Sequence, residues 1–595
     1  MQSPESKSDK TIPDNFISRM VNSLRELSLN EYTYTILLSV AIGLLGGFGS
    51  VLFRYLILFF QQLFYGKGDM LSLVSALPWY YVISIPAIGG LLLGPLVYYF
   101  PQEAKGHGVP EVMEAVALKG GKIKARVVVL RSFASAICLG SGGAVGREGP
   151  IVQIGSAIGS TLGQYFKVSS NVLKTMVGCG AAAGIAAAFN APIAGVMFSL
   201  EIILGDFGVS TFAPIVLSAV TATIVSRAVF GNFPAFIAPK YELVSFYEVS
   251  FYTVLGIIIG LLALLFIFIL SRMEDGFEGI GIPVYLKTAI GGLLLGSIGI
   301  FFPHVFGNGY ETIDMSLIGQ LSWYLLLALL FMKMLATSLT LGSGGSGGIF
   351  APSLFMGAMA GGVIGKLVNA LFPTLTASPG AYSLVGMGAM VAAATHAPIT
   401  AIIILFELTN DYKIILPIMI TSVVATLTST LLKKESIYTI KLVRRGINIK
   451  SGRETHMMKS VLVKDAMNKK VEVIREDMPF KELIQFVPNS RHTNFPVVDA
   501  KGKLTGIISL QDFREVIFEE NLEDLIVVKE LATAEVITVT PDQNLSDALT
   551  KIGFRNIEQL PVVDEEDPRK IVGMLSRRDI ITAYNKALLE KKLKQ

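Results

Sequence analysis

The sequence is poor in charge and in cysteine. Only 16% of its 595 residues are charged, 52% are hydrophobic, and residues 334–365 and 367–406 contain no Asp, Glu, Lys or Arg. This composition excludes an ordinary soluble globular protein and predicts several membrane-spanning helices, each of which needs about 20 mostly apolar residues. The two cysteines, Cys138 and Cys179, lie far apart in apolar surroundings, which argues against a disulfide framework or a cysteine metal site.

Histidine is scarce as well, and its scarcity argues against catalysis. The five histidines are scattered, and neither H-E-x-x-H nor G-K-[ST] occurs. We therefore predict no enzyme, no catalytic residue and no metal site. The net charge of +4 gives no reason to expect nucleic acid as a partner. Residues 1–32 lack the apolar core of a secretory signal and are predicted to be a cytoplasmic N-terminal segment.

The charged residues that do occur are concentrated towards the C-terminus. The last 145 residues contain 46 of them, and the first 450 contain 50. We predict a transmembrane domain at residues 33–445, a linker at 446–460 and a water-soluble tail. Gly and Pro interrupt many apolar runs, which favours short, tilted or broken helices. Besides the uncharged runs, apolar segments start near Thr33, Trp79, Val127, Val172, Ser210, Tyr252, Thr288, Trp323 and Leu416.

Two halves of the membrane domain repeat each other. GSGGAVGREGP at residues 140–150 agrees with GSGGSGGIFAP at 342–352 in six of eleven positions. NAPIAGVMFSLE at 190–201 matches HAPITAIIILFE at 396–407, and the offset between the halves stays at 202 to 208 residues. We predict two related halves, about 33–230 and 250–445, which meet at a substrate site formed by broken helices near the bilayer midplane.

The glycine stretches indicate an anion as the substrate. Broken helices direct free backbone N–H groups and the positive ends of their dipoles into a cavity, and glycine permits close approach. A cation site would need acidic side chains, which are few in the membrane half. Glycine also serves close helix packing, which is one alternative. A dinucleotide loop is another, because Gly342, Gly344 and Gly347 fit G-x-G-x-x-G, but no acidic residue follows about 20 positions later.

Four segments in order resemble the CLC family of chloride channels and chloride/proton exchangers. They are GHGVPE at 106–111, GREGP at 146–150, GGIFAP at 347–352 and SIY at 436–438, and the resemblance covers about residues 35–445. It implies an α-helical multi-pass membrane protein with an inverted-repeat CLC fold. It also implies a homodimer in the plasma or inner membrane, with one anion pathway per subunit. Chloride or a related small anion, protons and the lipid bilayer are then its partners, and no cofactor is required.

The resemblance also assigns an anion site. Helix starts in the glycine motifs supply backbone amides, the Tyr438 hydroxyl closes the inner side, and Glu148 matches the gating glutamate. An ionised Glu148 can occupy the position of an outer anion, and a protonated one can swing away, which links pH to permeation. Arg131 and Arg147 either raise the local positive potential or make structural contacts. By matching position, the anion-binding residues are His107, Gly108, Gly146, Arg147, Gly149, Ile349, Phe350, Ala351 and Tyr438.

Two residues depart from the family pattern. His107 replaces the usual serine or proline of the first motif, so it either donates a ring N–H to the anion or caps a helix. Ile202 stands where the best-studied exchangers have an inner glutamate, directly after the acid matched by Glu201. The interpretation that follows is a passive voltage- or pH-gated chloride channel, with a chloride/proton antiporter as the alternative. Glu201 and its repeat counterpart Glu407 are predicted to be structural.

The tail contains two similar α/β modules. EVIRED, a helix-like stretch, FPVVD and LTGIISLQD form a β-α-β-β-α pattern that EVITVT, LPVVD and IVGMLSRRD repeat. This resembles a tandem CBS pair, at residues 461–524 and 525–590, whose cleft often holds an adenine nucleotide. ATP, ADP or AMP is therefore predicted as a regulatory ligand of a cytoplasmic tail, although S-x-x-D also caps helices without any ligand. The matching phosphate and ribose positions are Ser509, Asp512, Ser576 and Asp579.

A CBS-coupled divalent-cation channel is a more distant alternative. It would also join such a tail to a membrane domain. Its membrane part should contain a cluster of acidic side chains that binds metal, whereas this sequence offers glycine-led helix starts. Anion flux compared with divalent-cation flux in loaded liposomes distinguishes the two.

Overall fold

The computed structural model describes most of the chain in two compact units that divide between Ile447 and Asn448. The predicted N-terminal segment lies outside the described residues except for its last two positions, as do most of the linker and residues 513–524 of the first CBS module. The residues described are 31–232, 236, 241, 243–409, 411–447, 458, 461–490, 492–510, 512, 525–554 and 558–593.

The first unit is α-helical, as its composition predicts. Within the described residues, nine helical segments are long and apolar enough to cross a membrane. The predicted apolar segments start within four residues of observed helices. The helices are α1 (Glu31–Tyr65), α2 (Met70–Ala76), α3 (Trp79–Tyr99), α4 (Pro101–Ala104), α5 (Val109–Leu118), α6 (Arg126–Gly140), α7 (Glu148–Tyr165), α8 (Ser170–Phe189), α9 (Pro192–Phe198), α10 (Val209–Phe230), α11 (Glu248–Gly279), α12 (Val284–Phe301), α13 (Tyr310–Leu317), α14 (Trp323–Gly342), α15 (Phe350–Leu371), α16 (Pro379–Thr395), α17 (Pro398–Thr409), α18 (Ile415–Leu432) and α19 (Thr439–Arg444).

Helices pair in the same way in both halves of this unit. α7 packs on α8, and α15 packs on α16. The contact is backbone to backbone: a Cβ on Gly155 or Gly180 would collide with the carbonyl oxygen of the other, and the same holds for Gly357 and Gly386. These four glycines occupy equivalent positions of the sequence repeat. Close helix packing therefore accounts for part of the glycine content, beside any role in binding.

The same turn follows α8 and α16. Asn190 and His396, at equivalent repeat positions, both have a φ of 58°, a left-handed conformation that ends the helix. Pro192 and Pro398 then start α9 and α17, where the fixed φ of proline suits a first helical turn. α9 and α17 pack against each other across the repeat. Directly after α9, a π-helical turn at Ser199–Leu204 carries Glu201.

The second unit has two small sheets with flanking helices. β1 pairs parallel with β2, which pairs antiparallel with β3, and β4 pairs antiparallel with β5. Val497 is opposite Gly506 in the first module, and Val562 is opposite Gly573 in the second, each beside a bulge. The antiparallel strand pairs of the two modules therefore have the same register. The elements are α20 (Val463–Ala466), β1 (Ile474–Arg475), α21 (Phe480–Phe486), β2 (Asn494–Val498), β3 (Leu504–Ser509), α22 (Val528–Leu531), α23 (Leu545–Phe554), β4 (Gln559–Val563), β5 (Ile571–Ser576) and α24 (Arg577–Leu593).

Each module contributes a short helix to the core of the other. Val463 of α20 is buried in the hydrophobic cluster of the second module, while Val528 of α22 is buried in that of the first. The predicted strand EVITVT is reduced, within the described residues, to one bridge at Val539, which exchanges two backbone hydrogen bonds with β4. The two modules of the tail are thus interlocked.

Candidate functional site

Three glycine loops meet in the first unit, and each leads into a helix. The loops are Gly106–Gly108 before α5, Gly142–Arg147 before α7 and Gly344–Ile349 before α15. Gly146 and Gly348 exchange backbone hydrogen bonds of 2.7 and 2.6 Å, and the Gly106 loop bonds to the backbone of the third loop at 3.2 and 3.3 Å. The structure therefore brings together the three motifs that the sequence singled out.

Glycine is required where these loops touch. Gly108 has a φ of 86°, a left-handed conformation that other residues rarely adopt. A Cβ on Gly108 would lie 2.7 Å from the carbonyl oxygen of Gly149, and one on Gly149 would collide with the carbonyl oxygen of His107. The first turns of α5 and α7 are thus in direct backbone contact. Their free N–H groups lie close together, which suits an anion.

Glu148 is the first residue of α7 and is buried, with 1% of its surface exposed. Its Oε1 atom accepts a hydrogen bond of 2.7 Å from the Tyr310 hydroxyl, and its Oε2 atom has no partner among the described residues. A Cβ on Gly146 would collide with Oε2 and lie 3.2 Å from the backbone nitrogen of Ala351. The carboxylate therefore lies beside the first turn of α15 as well as that of α7.

Tyr310, the first residue of α13, holds this carboxylate and is a residue that the sequence did not reveal. Its ring packs edge-on against Phe236, with centroids 5.1 Å apart, and the Arg147 guanidinium carbon lies 5.7 Å from its centroid. Tyr310 is 162 positions from Glu148 and belongs to none of the four motifs. No sequence signal separates it from the other tyrosines of the chain.

Arg131 and Arg147 both bond to backbone carbonyl groups. Arg131 is fully buried in α6 and donates to the carbonyl oxygens of Ala104 at 3.2 Å and Gly106 at 2.5 Å, which fixes the first loop. Arg147 donates to Ala188 at 3.0 Å. The structural contacts expected for these arginines are therefore present, and both cations also lie next to the loops.

The His107 side chain is 2% exposed, and neither ring nitrogen has a hydrogen-bond partner among the described residues. The alternative that its ring caps a helix has no such bond to support it. Its Nε2 atom lies 3.6 Å from the Glu274 carboxylate on α11. No sequence pattern indicates this neighbour, which is 167 positions away in a different half.

Tyr438 lies just before α19, and Phe350 lies at the start of α15, the helix that follows the third loop. Tyr438 is 2% exposed and immediately precedes α19, and its neighbour Ile437 donates a backbone bond of 2.9 Å to Ala394 in α16. Phe350 begins α15, and its ring centroid is 5.6 Å from that of Phe189 at the end of α8. Elements from both halves thus surround the site.

In the tail, the four matched serine and aspartate residues bond to each other. Ser509 donates from its backbone and its hydroxyl to Asp512, at 2.6 and 2.8 Å. Ser576 does the same to Asp579, whose backbone N–H returns a bond of 3.1 Å at the start of α24. The Ser576–Asp579 pair at the start of α24 has the geometry of a capping box, which supports the capping interpretation of S-x-x-D in the second module.

The comparisons with known proteins agree with the geometry. The family model "Voltage gated chloride channel" matches residues 89–430, and the model "CBS domain" matches 463–519 and 528–586. The chain belongs to the CLC family. Its membrane unit has the CLC fold, its C-terminus carries two CBS domains, and CLC proteins are membrane transport proteins that carry anions.

Relatives in this family include both named channels and named exchangers. The chain is 36% identical to "Putative chloride channel protein ClcB-like" of Ralstonia nicotianae, covering 68% of this chain and 95% of that one. It is 33% identical to the "H(+)/Cl(-) exchange transporter ClcA" of Vibrio parahaemolyticus, covering 69% and 90%.

Two solved CLC structures are similar as well. A slow cyanobacterial Cl−/H+ antiporter has a TM-score of 0.64 at 26% identity, covering 70% of this chain and 99% of its own. A eukaryotic CLC transporter has a TM-score of 0.60 at 20% identity and covers 94% and 98%, which shows a shared fold along nearly the whole chain.

Glu201, which precedes the departure from the CLC pattern at Ile202, and its counterpart Glu407 both bind backbone N–H groups. Glu201 accepts backbone bonds from Ile399 and Thr400, at 3.2 and 2.7 Å, at the start of α17. Its repeat counterpart Glu407 accepts from Ile193 and Ala194, at 3.0 and 2.7 Å, at the start of α9. Each half therefore caps a helix of the other, as the structural interpretation of both residues predicts.

Proposed function

We propose that this CLC protein is a chloride/proton antiporter gated by Glu148. The observation that carries the proposal is the buried Glu148 carboxylate beside the first turns of α7 and α15, with one oxygen bound by Tyr310 and the other without a partner. An ionised carboxylate there competes with chloride for the same amides, and a protonated one does not. One side chain then alternates between occupying the chloride position and carrying a proton.

The similar proteins favour exchange over passive conduction. A 33% identical relative is named an H+/Cl− exchange transporter, and a 26% identical structural neighbour is titled a Cl−/H+ antiporter. The channel interpretation rests on Ile202, which leaves that position without a carboxylate, and on a relative whose name says chloride channel. A passive chloride channel is the second candidate function.

The proposed anion site combines backbone amides with the side chains of Arg147, His107 and Tyr438. Helix starts α5, α7 and α15 direct N–H groups to the junction of the three glycine loops, and the fully buried Arg131 and the adjacent Arg147 add positive potential. The His107 ring and the Tyr438 hydroxyl complete the inner part. The residues assigned to anion binding are His107, Gly108, Gly146, Arg147, Gly149, Ile349, Phe350, Ala351 and Tyr438.

The protein is proposed to act as a homodimer in the plasma or inner membrane, with its CBS tail in the cytoplasm. Both features are typical of CLC proteins. CBS domains commonly bind adenine nucleotides. ATP, ADP or AMP is proposed as a regulatory ligand near Asp512 and Asp579, whereas the transport unit needs no cofactor.

Reversal potentials of the reconstituted protein test the proposed function. Liposomes with a chloride gradient and an opposing proton gradient separate the two candidates, because only an antiporter moves protons uphill when chloride runs downhill. We expect uphill proton movement and a reversal potential displaced from the chloride equilibrium potential. A reversal potential equal to the chloride potential, with no proton movement, would establish the passive channel instead.

A further inference from the structure

We propose that Glu274 and His107 form the inner relay that delivers protons to Glu148. The inference rests on the proposed antiporter function, because an antiporter needs a proton route from the face opposite to the outer gate. Ile202 has no titratable group, and Glu201 is engaged in capping α17. The route must therefore use other residues.

Glu274 lies at the correct face for proton entry. It is near the C-terminal end of α11, and the next residue, Asp275, forms an ion pair of 2.8 Å with Arg444 at the end of α19. The transport unit ends three residues later, at Ile447, so this is the face at which the chain continues towards the CBS tail. The side chain of Glu274 is 21% exposed, which lets it exchange protons with water.

The acids around Glu274 are neutralised by cations, but Glu274 itself is not. Glu111 pairs with Lys441 at 3.3 Å and Arg445 at 3.9 Å, and Glu278 pairs with Lys105 at 3.1 Å. Within the described part of the chain, Glu274 has no lysine or arginine nitrogen within 4 Å. Its ionic neighbour there is the His107 ring, at 3.6 Å.

His107 connects this acid with the interior of the site. Its ring is 2% exposed and is free of hydrogen bonds to the described residues at both nitrogens. Its carbonyl oxygen lies against Gly149, the residue after Glu148. Gln153 lies on the same helix as Glu148. Its Oε1 atom is buried, has no hydrogen-bond partner among the described residues, and lies close to Gly108, since a Cβ there would be 3.1 Å from it. The His107–Gly108 backbone thus lies directly against the helix that carries Glu148 and Gln153.

The proton transfer is balanced at each step. The Glu274 carboxyl gives its proton to Nε2 of the neutral His107 ring, and the ring loses its Nδ1 proton. Glu274 then takes a new proton from water, and rotation of the ring or proton exchange with water restores the starting tautomer. Water beside Gln153 can pass that proton to the Glu148 carboxylate, which becomes neutral and leaves the anion position. Burial and the cations Lys441, Arg131 and Arg445 favour the neutral ring, and Glu111 partly offsets them.

Glu274→Gln in the full-length protein tests the relay. Glutamine keeps the shape of the side chain but carries no acidic proton, so chloride flux should continue while protons moved per chloride fall at least about tenfold. Glu278→Gln is the matched control, because it lies one turn further on α11, is 67% exposed and is already paired with Lys105. The control should keep the proton-to-chloride ratio of the unmodified protein.

The outcomes separate the relay from the proposed function. Unmodified protein that moves no protons would overturn both. If the unmodified protein moves protons against chloride and the Glu274→Gln variant keeps the same proton-to-chloride ratio, the relay alone is overturned. Loss of both chloride and proton flux in a correctly folded Glu274→Gln protein would also overturn it, because the acid would then serve chloride binding or structure.

Discussion

At the scale of single residues, the proposed gate is a carboxylate that is only partly hydrogen-bonded. Burying an ionised carboxyl is unfavourable unless hydrogen bonds or opposite charge compensate. Glu148 receives one hydrogen bond from Tyr310, and the start of α15 lies beside its second oxygen. A group held this way can leave its position on protonation without breaking a full set of bonds.

Removing the Glu148 carboxylate should free the anion path. In Glu148→Ala the competing group is gone and the backbone amides remain, so chloride flux should persist and depend much less on external pH. Glu148→Gln should behave similarly, because a neutral amide resembles the protonated acid. Proton-coupled flux should disappear in both. Chloride and proton flux at pH 4.5 and 7.5 measure this, and loss of anion flux in well-folded protein would contradict the gating role.

Tyr310→Phe should loosen the same carboxylate without removing it. The substitution deletes the 2.7 Å hydrogen bond to Glu148 and keeps the ring contact with Phe236. A hydrogen bond to a charged group contributes about 1.5–3 kcal/mol, so chloride flux at pH 7.5 should rise by roughly tenfold or more. At pH 4.5, where Glu148 is more often protonated, the difference should shrink.

Tyr241→Phe is the matched control for that measurement. Tyr241 is also a buried tyrosine, and its hydroxyl donates to Leu317 at the other end of α13. Its substitution removes a hydroxyl bond from the same helix but not from Glu148, so the pH dependence of flux should not change. Equal effects of the two substitutions would mean that Tyr310 only stabilises α13.

At the scale of elements, the repeat makes each half complete the other. Glu201 of one half and Glu407 of the other cap α17 and α9 reciprocally, and the paired glycines of α7–α8 and α15–α16 set equivalent close contacts. The glycine loops of the two halves also contact each other, since Gly146 and Gly348 exchange backbone hydrogen bonds. The proposed anion site therefore lies at the contact between the halves.

Glu201→Ala should lower stability rather than proton coupling. It leaves the N–H groups of Ile399 and Thr400 without their acceptor, which costs about 1–3 kcal/mol. Glu407→Ala should cost somewhat less, because Glu407 accepts only from Ile193 and Ala194, whereas Glu201 also accepts a bond of 2.6 Å from the Thr400 hydroxyl. Thermal unfolding in detergent measures both. A Glu201→Ala protein of unchanged stability but altered proton-to-chloride ratio would show that the acid belongs to the transport path.

The sequence predicted the parts of the candidate site that lie within short motifs, and it missed residues that are far from those motifs along the chain. The glycine motifs, Glu148 and the repeat are visible because each is a local pattern or a local pattern that occurs twice. Tyr310 and Glu274 approach Glu148 and His107 only through folding, across 162 and 167 positions. Neither has a spacing or composition that marks it, since a tyrosine at a helix start and a glutamate near a helix end are common.

At the scale of the whole molecule, the tail is a single interlocked body. α20 packs in the core of the second CBS domain and α22 in that of the first, and Lys503 of one domain pairs with Asp567 of the other at 3.1 Å. The predicted domain bounds, 461–524 and 525–590, assign each of these segments to the domain whose strands follow it. Because α20 and α22 are only four residues long, local patterns could not show which core would bury them.

Adenine nucleotide should stabilise the full-length protein if it regulates through this tail. A ligand at 100 times its dissociation constant adds about 2.7 kcal/mol to the folded state, so thermal unfolding of the tail should shift upward with ATP, ADP or AMP. Asp579→Ala removes the cap of α24 and should cost about 1 kcal/mol even without ligand. The quantity to compare is therefore the change in unfolding temperature that the nucleotide causes in each variant. A shift that Asp512→Ala and Asp579→Ala abolish supports binding at the matched positions, whereas the absence of a shift in the unmodified protein would contradict nucleotide binding and leave Asp579 as a helix cap alone.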